Sequence, residues 1–197
     1  MNRLEEQLQS AGLKVVDHCE RLASYSPDLL EHSPLLEDFT AEEADVLAAS
    51  MLLVRAEPGQ VLIREGDAGD WMMLILKGTV DVTKRIELRA DEGAESLPGT
   101  VPDVAGVGKF ESVESRVAVL QRGAAIGEMS MLDSGLRYTT CTAIEPVEAG
   151  VLGSHAIGLL IRDHPGVGAK LLVKITQLMA QRLRNVSNQL VKLLQKT

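Results

Sequence analysis

Aromatic residues are scarce in this chain of 197 residues, where phenylalanine, tryptophan and tyrosine together make up 3%. The core must therefore be built from aliphatic side chains and methionine, within an apolar fraction of 45% that is normal for a globular protein. Positive charge is also in short supply, since 20 lysines and arginines face 28 acids and leave a net charge of −8. That balance argues against a general nucleic-acid surface, which requires clustered cations.

Cysteine is nearly absent, and Cys19 and Cys141 stand in unrelated contexts. Two scattered thiols favour a reducing cytoplasm over a disulfide framework. The four histidines are single and far apart, so no metal cluster is expected. The polar start of the chain is not a signal peptide, and the longest apolar runs are too short to span a membrane. A cytoplasmic protein without metal, cofactor or membrane contact is predicted.

Helical patterns open the chain. Apolar residues at roughly helical spacing predict one helix over residues 3–25, within a helical extension that covers residues 1–33. Thr40 followed by Glu43 is a capping-box signal, and it predicts a helix over residues 41–51 at the start of a main domain that covers residues 34–197. The spaced apolar positions of the first helix are Leu4, Leu8, Leu13, Val16 and Leu22.

The period changes at Leu52, where short runs of valine, isoleucine and leucine alternate with glycine turns. Such a pattern is typical of an antiparallel sandwich or barrel, which we expect over about residues 52–154. Residues 86–116 are rich in glycine, proline, serine and acids, and they predict a long loop or insertion. Strand-like sequence resumes at RVAVLQRG and again at YTTCTAIEPVEAGVLG.

Helical sequence returns at the end of the chain, with a short helix expected over about residues 155–163 and a long one over about residues 167–195. The long helix has an apolar stripe that either packs only on its own domain or continues into a two-chain coiled coil. We expect a homodimer, because the stripe extends past the length that a barrel would cover. The stripe consists of Leu172, Ile175, Met179, Leu183, Val186, Leu190 and Leu193.

The stretch GEMSMLDSGLRYTT, residues 127–140, combines a Gly-Glu pair, a short apolar run and one arginine among hydroxyl residues. Glycine before Glu128 permits close backbone approach, and a helix that begins there offers free N–H groups to an anion. Arg137 is a forked, permanent cation suited to phosphate, whereas Glu128 can accept from a sugar hydroxyl. On this chemistry, a nucleotide monophosphate site and a surface loop with a Glu–Arg salt bridge both remain open.

This stretch resembles the phosphate-binding cassette of cyclic nucleotide-binding domains, the family of the catabolite activator protein and the regulatory subunits of cyclic-AMP-dependent protein kinase. EPGQVLIREGDAGDWMMLILKGTVDV is similar to the family's first β-roll half, VLQRGAAIGEMSML to its approach to the cassette, and LLVKITQLMAQRLRNVS to its long C-terminal helix. The resemblance covers roughly residues 34–190. It implies an α+β fold, in which an antiparallel β-roll (a double-stranded β-helix of jelly-roll type) is flanked by N-terminal helices and a long C-terminal helix.

The resemblance also implies roles for residues of the cassette. Glu128 would accept from the ribose 2′-hydroxyl, Arg137 would pair with the cyclic phosphate, and Thr139 would donate toward the phosphate. Gly127 and Met129 would line the sugar side. The barrel residues of which some would reach the base are Val61, Ile63 and Leu76.

The chain departs from the family pattern at three places. Ile126 stands where the family usually has an aromatic residue before the Gly-Glu pair. Tyr138 follows Arg137, where relatives that favour cyclic GMP often have threonine, so cyclic AMP is the expected ligand and cyclic GMP the alternative. Val186 and Ser187 match the positions at which the activator protein contacts adenine through a Thr-Ser pair, so half of that pair is changed.

These features predict a non-enzymatic sensor whose ligand shifts the C-terminal helices and so signals to a separate effector protein. The sequence stops at Thr197, so no helix-turn-helix domain and no DNA binding are expected, and no catalytic motif is recognised. Two alternatives remain: a dimerisation or scaffold protein that keeps the fold without a ligand, and a transcription regulator that uses another surface. Trp71 and Cys141 are expected to be packing residues.

Overall fold

The computed structural model describes residues 3–25, 28–89 and 110–195. Within them, helices interrupted by one strand precede the main block of strands, and two helices follow it. The helices are Arg3–Ser10 (α1), Leu22–Tyr25 (α2), Leu29–His32 (α3), Ala41–Ala49 (α4), Glu128–Asp133 (α5), Ser154–Asp163 (α6) and Pro165–Leu194 (α7). The strands are Lys14–His18 (β1), Leu52–Ala56 (β2), Val61–Ile63 (β3), Trp71–Lys77 (β4), Thr79–Arg89 (β5), Phe110–Gln121 (β6), Ala125–Ile126 (β7), Thr140–Ala143 (β8) and Val147–Gly153 (β9).

These strands form two sheets in which every pairing is antiparallel. The first sheet has the order β1-β2-β9-β4-β7, and the second has the order β3-β8-β5-β6. Apolar side chains of both sheets, among them Val54, Met73 and Val82, share one core. The antiparallel roll with flanking helices confirms the α+β fold that the sequence predicts.

Helices cover the outer face of the first sheet. Strand β4 is buried on both faces because its residues alternate: Ile75 belongs to the core between the sheets, whereas Leu74 and Leu76 pack toward the helices. Helix α7 enters the helix-side core through Leu171 and Ile175. The first half of α7 therefore rests on the sheet that contains β7, directly before the 127–140 stretch.

Two lysines tie the first half of α7 to the segment around the start of α4. Lys170 Nζ lies 2.5 Å from Glu43 Oε2. Lys174, whose side chain is almost fully buried, pairs with Asp38 and Glu37. None of the α7 residues after Ile175 is buried, so the core contacts of this helix are concentrated in its first half.

The N-terminal segment differs from the single helix predicted over residues 3–25. Helix α1 ends at Ser10, and Gly12 turns the chain with a φ of +77° before β1 pairs with β2. Glycine takes this left-handed conformation at little cost, and the β-branched Val15 and Val16 favour a strand over a helix. The prediction of one continuous helix is therefore wrong.

The leucine spacing that suggested a continuous helix reflects burial instead. Leu8 and Leu13 both lie in the core between the sheets, and Leu4 packs at its edge. Strand β1 extends the first sheet of the roll. The domain boundary after residue 33 stays a prediction.

The predicted loop over residues 86–116 is shorter than expected. Strands β5 and β6 both continue into this range and pair there, with Ile86 opposite Val113. Both ends of the predicted loop are therefore strand, because its β-branched residues extend the ladder of hydrogen bonds. The rest of the range, residues 90–109, lies outside the described residues.

The two C-terminal helices agree with the sequence patterns to within two residues. Helix α7 begins at Pro165, earlier than the predicted residue 167, because proline is favoured in the first turn of a helix. Throughout the part of the chain that the structure describes, no helix has both the length and the apolar character that crossing a bilayer requires.

The capping box at the start of α4 gives a stability prediction. Thr40 Oγ1 accepts from the Glu43 N–H at 3.3 Å, and Glu43 Oε2 accepts from the Thr40 N–H at 2.9 Å. Thr40→Ala is expected to lower the free energy of unfolding by about 1 kcal/mol in chemical denaturation, because the Glu43 N–H in the first turn of the helix loses its acceptor. Thr176→Ala is the matched control, since that hydroxyl bonds only the Leu172 carbonyl of its own helix. Equal losses in the two variants would contradict the capping role.

Candidate functional site

The 127–140 stretch is held in place by its backbone. Gly127 has a φ of +78° at the start of α5, and a Cβ there would lie 2.7 Å from Arg137 Nη1 and 2.9 Å from Ile63 Cδ1. The Arg137 N–H donates to the Asp67 carbonyl at 2.8 Å, and the Gly66 N–H donates to the Arg137 carbonyl at 2.9 Å. The turn between β3 and β4 therefore fixes the position from which the Arg137 side chain extends.

The guanidinium of Arg137 is almost completely buried, with 4% of the residue exposed. Its Nη1 donates to the Gly127 carbonyl at 2.8 Å and to Ser130 Oγ at 2.6 Å. Its Nη2 is the one buried side-chain nitrogen or oxygen among the described residues that has no hydrogen-bond partner. A buried donor without an acceptor is costly, and an anion that accepted from this one would form a charge-assisted hydrogen bond.

The surroundings of this guanidinium are apolar on one face and acidic nearby. The Trp71 ring centroid lies 4.1 Å from Arg137 Cζ. Burial lowers the pKa of Arg137 from its ordinary value, and the carboxylates of Asp70, Glu128 and Asp67 oppose that shift. Arginine nevertheless stays protonated in proteins, so the site keeps its positive charge.

Glu128 is buried even more completely, at 1% exposure. Arg182 of α7 pairs with it through Nη1, and Arg182 Nη2 donates to the Ala125 carbonyl at 2.6 Å. The first of these bonds connects the long C-terminal helix directly to the carboxylate expected to receive a ribose hydroxyl, and the second connects it to the backbone of β7. Sequence reasoning missed Arg182. The available signal was its position, because this cation lies three residues after Met179 and four before Val186, on the apolar stripe of the helix.

The remaining cassette residues lie at the surface of the site. Met129 is exposed, and Tyr138 is 63% exposed with Lys84 Nζ 4.1 Å from the centroid of its ring. Lys84 Nζ also donates to the Tyr138 carbonyl and to Glu65 Oε1, both at 2.7 Å. Thr139 is half-buried, and its side chain hydrogen-bonds the Cys141 thiol.

The candidates for contact with a base lie in three different places. Ile63 is beside Gly127 in the core between the sheets, and Val61 lies two residues earlier on the same strand. Leu76 is fully buried in the helix-side core, because it alternates with the β4 residues that face the roll. Val186 and Ser187 are exposed on α7, one turn beyond Arg182. The structure therefore does not bring Leu76 into the same place as Arg137.

A cavity of about 250 Å³ opens beside Arg137, between α1 and the turn that follows β3. A larger cavity of about 900 Å³ lies on the other side of α1, but neither Arg137 nor Glu128 lines it. We assign the Arg137 half of the site to the smaller cavity because Arg137 lines it, whereas Glu128 lines neither cavity. Residues that line it include Gln7, Ser10, Ile63, Asp67, Trp71 and Arg137.

The two thiols take no visible part in the site's chemistry. Both are buried, and burial raises the pKa of Cys19 and of Cys141 to about 11. Thiols with such values are almost entirely protonated at neutral pH and react slowly. Among the described residues, no three histidine, cysteine, aspartate or glutamate side chains are grouped in a way that could hold a metal ion.

Comparison with known proteins finds relatives that are similar to this chain in sequence and in fold. The crystal structure of a cyclic nucleotide-binding domain from Methylobacillus flagellatus superposes with a TM-score of 0.70 at 27% identity, covering 98% of this chain and 95% of that one. The cAMP-dependent protein kinase regulatory subunit of Yarrowia lipolytica is 27% identical over 147 residues, 75% of this chain and 32% of that protein. The CRP-like cAMP-activated global transcriptional regulator of Mycobacterium tuberculosis is 26% identical over 136 residues, 69% of this chain and 49% of that protein.

The two curated relatives are much longer than the region of similarity, since the chain spans about a third to a half of their length. No family model matches the chain. The similarity therefore concerns only part of each of those two proteins.

Proposed function

The chain belongs to the cyclic nucleotide-binding domain family, and on this basis we propose that it is a non-enzymatic sensor of cyclic AMP. The cyclic phosphate would bind Arg137, and the ribose 2′-hydroxyl would bind Glu128. The observation that carries this proposal is the buried Arg137 Nη2 without a hydrogen-bond partner among the described residues. A phosphate oxygen there would gain a charge-assisted hydrogen bond in a site already shielded from water.

The sugar half of the proposed site rests on Glu128. Its carboxylate is acceptor-only when ionised, so it suits a hydroxyl donor and not a phosphate oxygen. Arg182 already donates to this carboxylate, so a bound ribose must share it with α7. Gly127 and Met129 flank the carboxylate in sequence and would line the sugar, with Thr139 on the phosphate side.

Cyclic AMP is proposed over cyclic GMP on two grounds. The curated relatives named above are described as dependent on or activated by cAMP. The position after Arg137 is Tyr138, which contacts Lys84 and has no side-chain hydroxyl close to its backbone as threonine would. Val61, Ile63, Val186 and Ser187 remain proposed contacts of the base.

The output is proposed to pass through the second half of α7. A ribose hydroxyl on Glu128 would compete with Arg182 for the carboxylate, so the ligand would favour a position of α7 in which this ion pair is loosened. Such a difference in affinity between two positions of the helix is what a population shift requires. The partners proposed for this exposed surface are a second copy of the chain and an effector protein in the cytoplasm. Apolar residues of this half that are more than 50% exposed include Leu183, Val186, Leu190 and Leu194. No contact with DNA is proposed, because the chain is acidic.

Titration calorimetry with cyclic AMP, cyclic GMP and linear 5′-AMP tests the proposal. Cyclic AMP is expected to bind at micromolar concentration or below, and at 100 times its Kd to stabilise the fold by about 2.7 kcal/mol. For a domain of this size that shift raises Tm by about 5–10 °C. If cyclic GMP alone binds, the proposed ligand is wrong and cyclic GMP takes its place. If no cyclic nucleotide gives heat or a thermal shift, the proposal of a cyclic nucleotide sensor is rejected.

One observation favours a second candidate, a ligand-independent dimerisation module. The exposed apolar half of α7 requires a partner whether or not a nucleotide binds. Sedimentation with and without cyclic AMP separates the two: a dimer that forms equally well in both conditions, in a protein without nucleotide affinity, supports the second candidate.

A further inference from the structure

Trp71 has a position that simple packing does not require. It is the first residue of β4, it is 4% exposed, and it is the single tryptophan of the sequence. Its ring lies face-on to the guanidinium of Arg137 at 4.1 Å from Cζ. A guanidinium over an indole face is attracted by the ring's quadrupole, and the attraction is strongest where water is excluded.

A guanidinium that lies over an aromatic face still has its N–H edges available for hydrogen bonds. One edge is already used, because Nη1 donates to Gly127 and Ser130. Nη2 is left without a partner. The ring therefore helps to determine the direction in which the unpaired N–H groups point.

Gly69 packs against the same guanidinium. A Cβ at this position would lie 2.5 Å from Arg137 Nη2 and 2.7 Å from Nε. The φ of Gly69 lies outside the left-handed region, so alanine would fit the backbone. A glycine is thus required at position 69 because a side chain there would collide with the guanidinium, and not because the backbone of the turn demands it.

We propose that Trp71 and Gly69 are positioning residues for the anion-binding arginine. The indole face and the bare glycine together hold Arg137 so that Nη2 is directed to the phosphate before the ligand arrives. Such preorganisation saves the cost of ordering a long side chain at the moment of binding. This inference rests on the proposed function, since it assigns how that site holds its cation.

Matched substitutions separate this role from packing. Trp71→Phe keeps an aromatic face, whereas Trp71→Leu keeps apolar bulk without a π-system. Both remove volume from the core, so both are expected to lower Tm. Cyclic AMP affinity is expected to stay within about threefold of wild type in Trp71→Phe and to fall about tenfold or more in Trp71→Leu.

Gly69→Ala tests the other side of the guanidinium. The new methyl group displaces the Arg137 guanidinium, so affinity is expected to fall about tenfold. Tm is expected to fall as well, because the Nη1 bonds to Gly127 and Ser130 shift with the guanidinium. Gly158→Ala is the control, because a Cβ at that position on α6 meets nothing within 4 Å. It should bind as wild type does, at the same or a slightly higher Tm.

Tryptophan emission gives a readout that a purely structural role would not change. Trp71 emission is expected to respond to cyclic AMP in wild type and in Gly158→Ala, and to lose that response in Arg137→Ala. Equal affinity of Trp71→Leu and Trp71→Phe, or an emission that ignores the ligand, would overturn the positioning role alone. A wild-type protein that binds no cyclic nucleotide would overturn the proposed function and this inference with it.

Discussion

Arg137→Ala is expected to weaken cyclic AMP binding by about one hundredfold in calorimetry. The substitution removes the charge-assisted hydrogen bond from Nη2, and bonds to charged groups contribute about 1.5–3 kcal/mol, or roughly 10- to 150-fold in affinity. We expect the upper part of that range because the guanidinium is almost fully buried and its field is little screened by water.

The same substitution is expected to leave the protein folded. The Gly127 carbonyl and Ser130 hydroxyl lose a donor, which costs about 1–3 kcal/mol of unfolding free energy. Removal of a desolvated cation offsets part of this loss. Arg122→Ala is the matched control, since that arginine is half exposed and its ion pair with Asp28 is a long surface contact of 3.8 Å. Wild-type affinity in Arg137→Ala would show that the phosphate binds elsewhere.

Arg182→Ala is expected to separate ligand binding from the response of α7. In wild type, cyclic AMP should change the hydrogen exchange of residues 179–194, because the ribose and Arg182 share Glu128. In the variant, the nucleotide still has Arg137 and Glu128 available, so binding persists while the exchange of this half-helix no longer responds. The free energy of unfolding should fall by about 1–3 kcal/mol, because the buried carboxylate of Glu128 loses its cation. The loss is smaller than for a fully buried pair because the Arg182 side chain is 41% exposed.

Arg184→Ala is the control for this experiment. It lies two residues away on the same helix, and its Nη2 donates only to Gln181 Oε1 at 3.0 Å. It is expected to keep both the affinity and the exchange response of wild type. An α7 response of unchanged size in Arg182→Ala would contradict the coupling through Glu128.

The features that sequence patterns predicted well are local ones. The capping box at Thr40 and the glycine turn before Glu128 each depend on residues three or fewer positions apart, so the printed sequence contains the whole signal. Order and type of the main elements followed from hydrophobic period in the same way. The strand at residues 14–18 was missed because its pairing partner, β2, begins 34 residues after the end of that strand.

The parts of the site that were missed depend on contacts between distant segments. Trp71 meets Arg137 across 66 positions, and Arg182 meets Glu128 across 54. Nothing in the residues adjacent to Trp71 indicates that its ring will face a cation, so packing was the natural expectation. Tertiary structure changes that interpretation because it brings the β3–β4 turn and the cassette together around one guanidinium.

A crystal structure of the protein with cyclic AMP tests the central claim most directly. The account predicts a cyclic phosphate oxygen within hydrogen-bond distance of Arg137 Nη2, while the guanidinium still lies over the Trp71 ring. It also predicts that the ribose 2′-hydroxyl donates to a Glu128 oxygen. A nucleotide bound in the larger cavity beyond α1, or a phosphate that contacts neither Arg137 nor the start of α5, would contradict it.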